Sequence, residues 1–123
     1  MSVNRQRLGR IGEAEARRRL ELLGYVILVA NWRTRHGELD VVAVDGERLV
    51  FVEVRSRSAV SGGRYGTAAE SVDPRKQRQV RLLAQSYMHF TNRYDASVRF
   101  DVIAVTIGEE DNITDYRHYK AAF

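Results

Sequence analysis

Asp40 and Glu53 are the residues of this chain best placed to do chemistry. Each carboxylate interrupts a short apolar run, Leu39 to Val44 and Leu49 to Val54, and Asp45-Gly46 lies between the runs. Asp-Gly flanked by apolar segments is a strong hairpin signal, so the runs read as two paired strands. Each acid stands at the end of its strand remote from the turn. Side chains alternate along a strand, so Asp40 shares a face with Val42 and Val44, while Glu53 and Arg55 share one with Leu49 and Phe51. Register decides whether those faces coincide. A two-residue turn, Asp45-Gly46, pairs Val44 with Glu47 and sets Asp40 diagonal to Glu53. A four-residue turn, Asp45 to Arg48, pairs Val44 with Leu49 and sets Asp40 directly across from Glu53. Both registers bring the carboxylates to one face, and a slip of one residue separates them.

Two carboxylates meeting on an apolar sheet repel one another and resist desolvation. Such a pair calls for a raised pKa or a bound cation. A few oxygen ligands, with positions left for water and a phosphate, describe a Mg²⁺ or Mn²⁺ site. Arg55 would stand beside it, able to hold a phosphate oxygen or stabilise developing negative charge. The plainer alternative is a surface ion pair between Glu53 and Arg55, with Asp40 capping a strand end. For an arbitrary acid pair on a hairpin, that alternative is the commoner outcome.

The elements that must position these residues follow from periodicity. A helix is predicted from about Arg5 to Leu23, with Leu8, Gly12, Ala16, Leu20 and Leu23 near one face and Gly24 as its stop. Tyr25 to Ala30 is strand-length and rich in β-branched residues. After the hairpin, Ser56 to Ser71 is small, polar and Gly-containing, which predicts a mobile surface loop next to Glu53. Asp73-Pro74 then opens a second helix, with Asp as N-cap and Pro at the first position. That helix carries Val80, Leu83, Ala84 and Tyr87 on one side and basic residues on the other. Val98 to Ile107 reads as a fourth strand and Ile113 to Tyr119 as a fifth, edge-like one. The expected fold is α/β, in the order helix, three strands, helix, one or two strands.

Composition narrows the class. The chain has 123 residues, 44% of them hydrophobic, enough for one domain with its own core. It has no Cys, which removes disulfides and thiolate metal sites. Its first twenty residues are charged throughout, unlike a signal peptide or a spanning helix, so a cytoplasmic protein without a membrane partner is expected. Net charge is +4 and the pI about 9.8. Arg and Lys cluster at Arg5, Arg7 and Arg10, at Arg17 to Arg19, and at Arg75, Lys76, Arg78 and Arg81. Clustered Arg suits phosphate, although solvated helix faces paired to Glu explain part of it.

An Asp, about a dozen residues, then Glu-x-Lys/Arg on a hairpin behind an N-terminal helix resembles the PD-(D/E)xK nuclease superfamily. Within it, the chain resembles the uncharacterised YraN-like (UPF0102-type) family, similar in pattern to archaeal Holliday junction resolvases. The matching segments are Gly9-Arg10-Ile11-Gly12-Glu13, Gly37-Glu38-Leu39-Asp40, Phe51-Val52-Glu53-Val54-Arg55, Ser71-Val72-Asp73-Pro74-Arg75-Lys76-Gln77 and Arg99-Phe100-Asp101-Val102-Ile103-Ala104-Val105. The resemblance implies a restriction-endonuclease-like mixed sheet flanked by helices. It implies Asp40 and Glu53 as ligands of Mg²⁺ or Mn²⁺, with the Val54 backbone carbonyl as a third and Glu13 as the upstream helix acid. The spacing alone does not choose between Glu13 and Glu15, since each has an Arg four residues on. Arg55 occupies the position of the superfamily's usual Lys. Arg stays protonated, so it can orient and stabilise but cannot act as a general base. Gln77 matches a helical Gln or Lys found near such sites.

The leading expectation is therefore a metal-dependent DNA endonuclease, structure-selective by resemblance, with Arg10, Arg57, Arg75, Lys76 and Arg78 contacting nucleic acid. A homodimer is expected by analogy with enzymes that cut symmetric junctions. The alternatives are a non-catalytic nucleic-acid-binding module that keeps the nuclease fold, and an assembly or scaffold protein. Asp101 at a strand start is more often a turn or cap residue than a site residue. His36 reads as a solvent-exposed loop residue, His89 and His118 have no partner pattern, and Trp32 more readily closes a core than stacks on a base, the role also open to Tyr65.

Overall fold

Five strands form one mixed sheet in the order β1-β2-β3-β4-β5, as a computed structural model describing residues 2–59 and 72–123 shows. The elements run α1 (Ser2–Leu22), β1 (Val26–Thr34), β2 (Gly37–Asp45), β3 (Arg48–Ser58), α2 (Pro74–Phe90), β4 (Ser97–Ile107) and β5 (Ile113–Tyr119). This is the expected α/β order, with both later strands present. β1, β2 and β3 are antiparallel neighbours, β3 and β4 are parallel across the α2 crossover, and β5 returns antiparallel at the edge.

The apolar runs are continuous because both sheet faces are covered. On one face α1 lays Ala16 and Leu20 against Val41, Ala43, Val50, Val52, Ile103 and Val105. On the other, α2 lays Val80, Leu83, Ala84 and Tyr87 against Leu39, Val42, Leu49, Phe51 and Phe100. Phe51 stacks on Phe100 at 5.6 Å between ring centroids and meets Tyr87 edge-on at 5.9 Å. α2 begins where Asp73-Pro74 said it would. Asp73 Oδ1 accepts the Lys76 N–H at 2.8 Å, and Pro74 needs no donor in the first turn.

α1 begins at Ser2, before the expected Arg5, and β2 at Gly37, before Leu39, and three further boundaries differ from expectation. Leu23 lies past the end of α1 and is exposed, while its N–H still reaches back to the carbonyls of Arg19 and Leu20. β1 continues four residues beyond Ala30, through Asn31, Trp32, Arg33 and Thr34, the last three pairing with Leu39, Glu38 and Gly37. Ser56, Arg57 and Ser58 are strand rather than loop, because they pair with Val105, Thr106 and Ile107 of β4. The rest of the expected loop from residue 60 to Ser71, including Tyr65, lies outside the described residues. No helix among the described residues is long and apolar enough to cross a membrane.

Candidate metal centre

The β2–β3 ladder runs from Asp45–Arg48 through Val44–Leu49 to Val41–Val52. This is the register of the four-residue turn, and it carries Asp40 to the position across from Glu53, one step beyond the last pair. There the Asp40 carboxylate replaces the backbone ladder, since the Val54 N–H donates to Oδ2 at 2.9 Å. N–H and C=O of one residue leave a strand on the same side, so the Val54 carbonyl also opens toward β2.

Glu53 is buried, 5% exposed, and two cations reach its Oε2. Lys76 Nζ lies 3.5 Å away and the Arg55 guanidinium 3.6 Å. Both contacts are longer than close charge-assisted hydrogen bonds, so neither cation fully satisfies the carboxylate. Lys76 comes from the first turn of α2, the turn that Asp73 caps. The Arg55 Nε is buried without a hydrogen-bond partner among the described residues.

Asp40 feels the whole cluster. Burial, then the charge of Glu53, push its pKa up to about 7, against the pull of the Val54 N–H and Lys76. Glu13 is raised as well, by burial first and the charge of Asp40 second, while the Asn31 side chain hydrogen-bonds it and pulls the other way. Glu13 on α1 is thus electrostatically joined to Asp40. Glu15 is not. It accepts from Arg18 at 2.7 Å and Arg19 at 2.6 Å, and the Arg18 hydrogen bond in particular brings its pKa down to about 2. The two helix acids that spacing left equivalent thus differ in their surroundings, Glu15 being paired to arginines and Glu13 half-buried near the charge of Asp40.

The other expected residues distribute as follows. Gln77 turns away to the Val72 carbonyl at 2.9 Å and fastens the approach to α2, while its neighbour Lys76 enters the cluster. Arg75 and Lys76, with Asp73 and Gln79, line a polar depression of about 420 Å³ at the start of α2. Arg78 is exposed further along the same helix, and Arg10 is exposed on α1, over the opposite sheet face. Arg57 donates to Thr106 Oγ1 at 3.4 Å from within β3. His36 is exposed, and Trp32 packs edge-on against Tyr87 at 5.3 Å as a core residue.

Asp101 is neither cap nor site residue. It is wholly buried inside β4, which begins four residues earlier, and accepts from Arg99 Nε and Nη2 at 2.9 Å and from Ala121 N at 3.0 Å. His118 Nε2 lies 2.8 Å from Asp101 Oδ2, and Arg99 continues to Asp45 and the Tyr25 hydroxyl. These partners overcome the cost of burial and hold the Asp101 carboxyl down at about 2. The network runs from Asp45 at the hairpin turn to Asp101, which pairs with Val52 beside Glu53. It is a satisfied structural cluster, and the His118 partnership gave no signal in the sequence.

The donor set suits a hard dication. Among the described residues no three His, Cys, Asp or Glu side chains are arranged to cage a metal. Mg²⁺ rarely needs such a cage, since it is commonly held by one or two carboxylates and completed by water and substrate phosphate. Asp40, Glu53 and the Val54 carbonyl meet that description, with Glu13 at the margin.

A family model described as "Uncharacterised protein family UPF0102" matches residues 12–105, which span Glu13, both hairpin carboxylates and Lys76. A UPF0102 protein of Moorella thermoacetica is 42% identical over 123 residues, covering all of both chains. One from Pelotomaculum thermopropionicum is 45% identical, also over the whole of both. One from Rhodococcus opacus is 46% identical over 116 residues, 94% of this chain and 95% of its own.

Proposed function

The chain belongs to the uncharacterised family UPF0102, and from that premise we propose that it is a Mg²⁺- or Mn²⁺-dependent DNA endonuclease of the PD-(D/E)xK type, selective for branched structure in the manner of Holliday junction resolvases. The observation that carries this reading is the convergence of Asp40 and Glu53 at the open end of the β2–β3 ladder, where burial and its neighbour's charge push the Asp40 pKa up to about 7.

In this reading Asp40, Glu53 and the Val54 carbonyl hold the ion. When bound, the ion supplies Lewis-acid polarisation of the phosphodiester and an acidified water. Glu53 needs its cations released or shared for that task, and both are within reach of an incoming phosphate. Arg55, always protonated, orients a phosphate oxygen and offsets charge in the transition state. Lys76 brings a compact ammonium to the site, beside the planar guanidinium of Arg55. The amide N–H groups opening α2 and the Arg75 side chain extend the same surface to the backbone of a polyanion.

Purified protein incubated with four-way junction, single-stranded and duplex DNA in Mn²⁺ tests the proposal. Cutting that disappears in Asp40→Asn and Glu53→Gln is the expected result. DNA left intact throughout, or cut equally by Asp40→Asn, contradicts it. A second reading is a DNA-binding module that keeps the fold, favoured by the sharing of one Glu53 oxygen between Lys76 and Arg55. It expects salt-sensitive DNA binding with no heat on adding Mn²⁺.

A further inference from the structure

Asn31 is a non-glycine residue with φ +55° inside a β-strand. That left-handed conformation is disfavoured for L residues, and in a strand it breaks the pleat. Its place in the register is informative. Ala30 pairs with Val41 and Trp32 with Leu39, so Asn31 stands directly opposite Asp40.

The strands lose their alternation at this row. In β2, Leu39 and Val42 both pack on the α2 side, three residues apart, while Val41 packs on the α1 side. In β1, Val29 and Trp32 likewise both pack toward α2, three residues apart. A regular pleat would put residues three apart on opposite faces. Both strands therefore turn over together where Asn31 faces Asp40. Asp40 thus stands at the row where the two faces exchange, and its charge is felt by Glu13 of α1 while that of Lys76 of α2 acts on its own carboxyl. The Asn31 side chain also acts on Glu13, in the direction that favours its carboxylate form.

We propose that Asn31 is the positioning residue of the candidate metal centre, its left-handed backbone turning β2 so that Asp40 faces both helices, and its amide holding Glu13 toward Asp40. The metal-binding part of this assignment rests on the function proposed above, whereas the turning of the strand does not. Two variants separate the roles of Asn31. Asn31→Gly keeps the left-handed backbone and removes the amide. Asn31→Val keeps a strand-forming residue but penalises the left-handed backbone.

Mn²⁺ affinity, read by electron paramagnetic resonance without DNA, and the unfolding midpoint are the readouts. Asn31→Gly is expected to unfold within about 3 °C of the wild type while binding Mn²⁺ about fivefold more weakly, and to have no further effect in a Glu13→Gln background. Asn31→Val is expected to lower the midpoint by about 5 °C or more. Full Mn²⁺ affinity in Asn31→Gly, an undiminished effect in the Glu13→Gln background, or wild-type stability in Asn31→Val overturns the assignment. Wild-type protein that binds no Mn²⁺ removes the metal reading alone. Crystal structures of the variants then decide the remainder. Loss of the Asp40–Val54 hydrogen bond in Asn31→Val upholds the strand-turning role, and its retention overturns it.

Discussion

A carboxyl group whose pKa rises to about 7 on folding opposes the fold wherever it must ionise. Asp40 starts from 3.8, so between about 4 and 7 the native state keeps a proton that the unfolded chain has released. Stability therefore falls as pH rises through that window, and the penalty is complete above 7. Each tenfold gain in proton affinity corresponds to about 1.4 kcal/mol, and the Val54 hydrogen bond, which an Asn can still accept, offsets little of the gain from removing the charge. Asp40→Asn should accordingly stabilise the protein by about 1–3 kcal/mol at pH 8 and by almost nothing at pH 4, while abolishing cleavage. Thermal unfolding at the two pH values checks this, and an unchanged or lower midpoint at pH 8 speaks against a strained acid pair. Lys76 and Arg55 make a second comparison. Lys76 draws down the Asp40 pKa with a compact ammonium, whereas Arg55 presents a planar guanidinium. Lys76→Met should slow cleavage about 100-fold and Arg55→Lys by less than about tenfold, measured as single-turnover rates. At this scale the sequence was informative about Asp40 and Glu53, whose charge interrupts apolar runs. It was silent about Asn31, because Asn tolerates the left-handed backbone without requiring it, and it placed Lys76 among phosphate contacts because the α2–β3 approach is non-local.

At the scale of elements, the distance between α1 and β3 decides whether Glu13 can take part. Gly12 is buried on the sheet-facing side of α1, and a Cβ there would fall against Ser56 Oγ and 3.0 Å from Ser56 Cβ. Ala is otherwise the better helix residue by about 1 kcal/mol. Gly12→Ala is nevertheless expected to destabilise by about 1–3 kcal/mol, because α1 must lift from β3 and carry the adjacent Glu13 with it. Ser56→Ala in the same chain should recover part of that loss, since it removes the nearer of the two obstructing atoms and a hydroxyl buried without a partner among the described residues. Urea unfolding of the single and double variants measures the coupling, and strict additivity would show that the two residues do not meet. Strands β2 and β3 and helix α2 were legible because hairpin and capping signals are local. The end of β3 was not. Ser56 to Ser58 is polar and short of apolar pattern, and only the parallel partner β4 makes it strand.

The molecule as a whole joins residues separated by half its length into one cluster. Glu13 arrives on α1, Asp40 and Glu53 on neighbouring strands, and Lys76 on the helix that crosses between β3 and β4. The strand order and the two covering helices could be expected from the apolar runs, since strands separated by a helical crossover favour a parallel pair. The turn of β2 at Asp40 falls opposite Asn31 of the neighbouring strand, so the β2 segment alone does not encode it. The basic surface follows the same division: Arg75 and Lys76 open beside the acids, while Arg10 stands over the other face. Crystals soaked in Mn²⁺ and measured at the manganese absorption edge give the most direct test of whether this convergence is a metal centre. One anomalous peak bridging Asp40 and Glu53 within ligand distance of the Val54 carbonyl, lost in Glu53→Gln, is the expected result. Well-ordered carboxylates with no peak between them, still paired to Lys76 and Arg55, would contradict it.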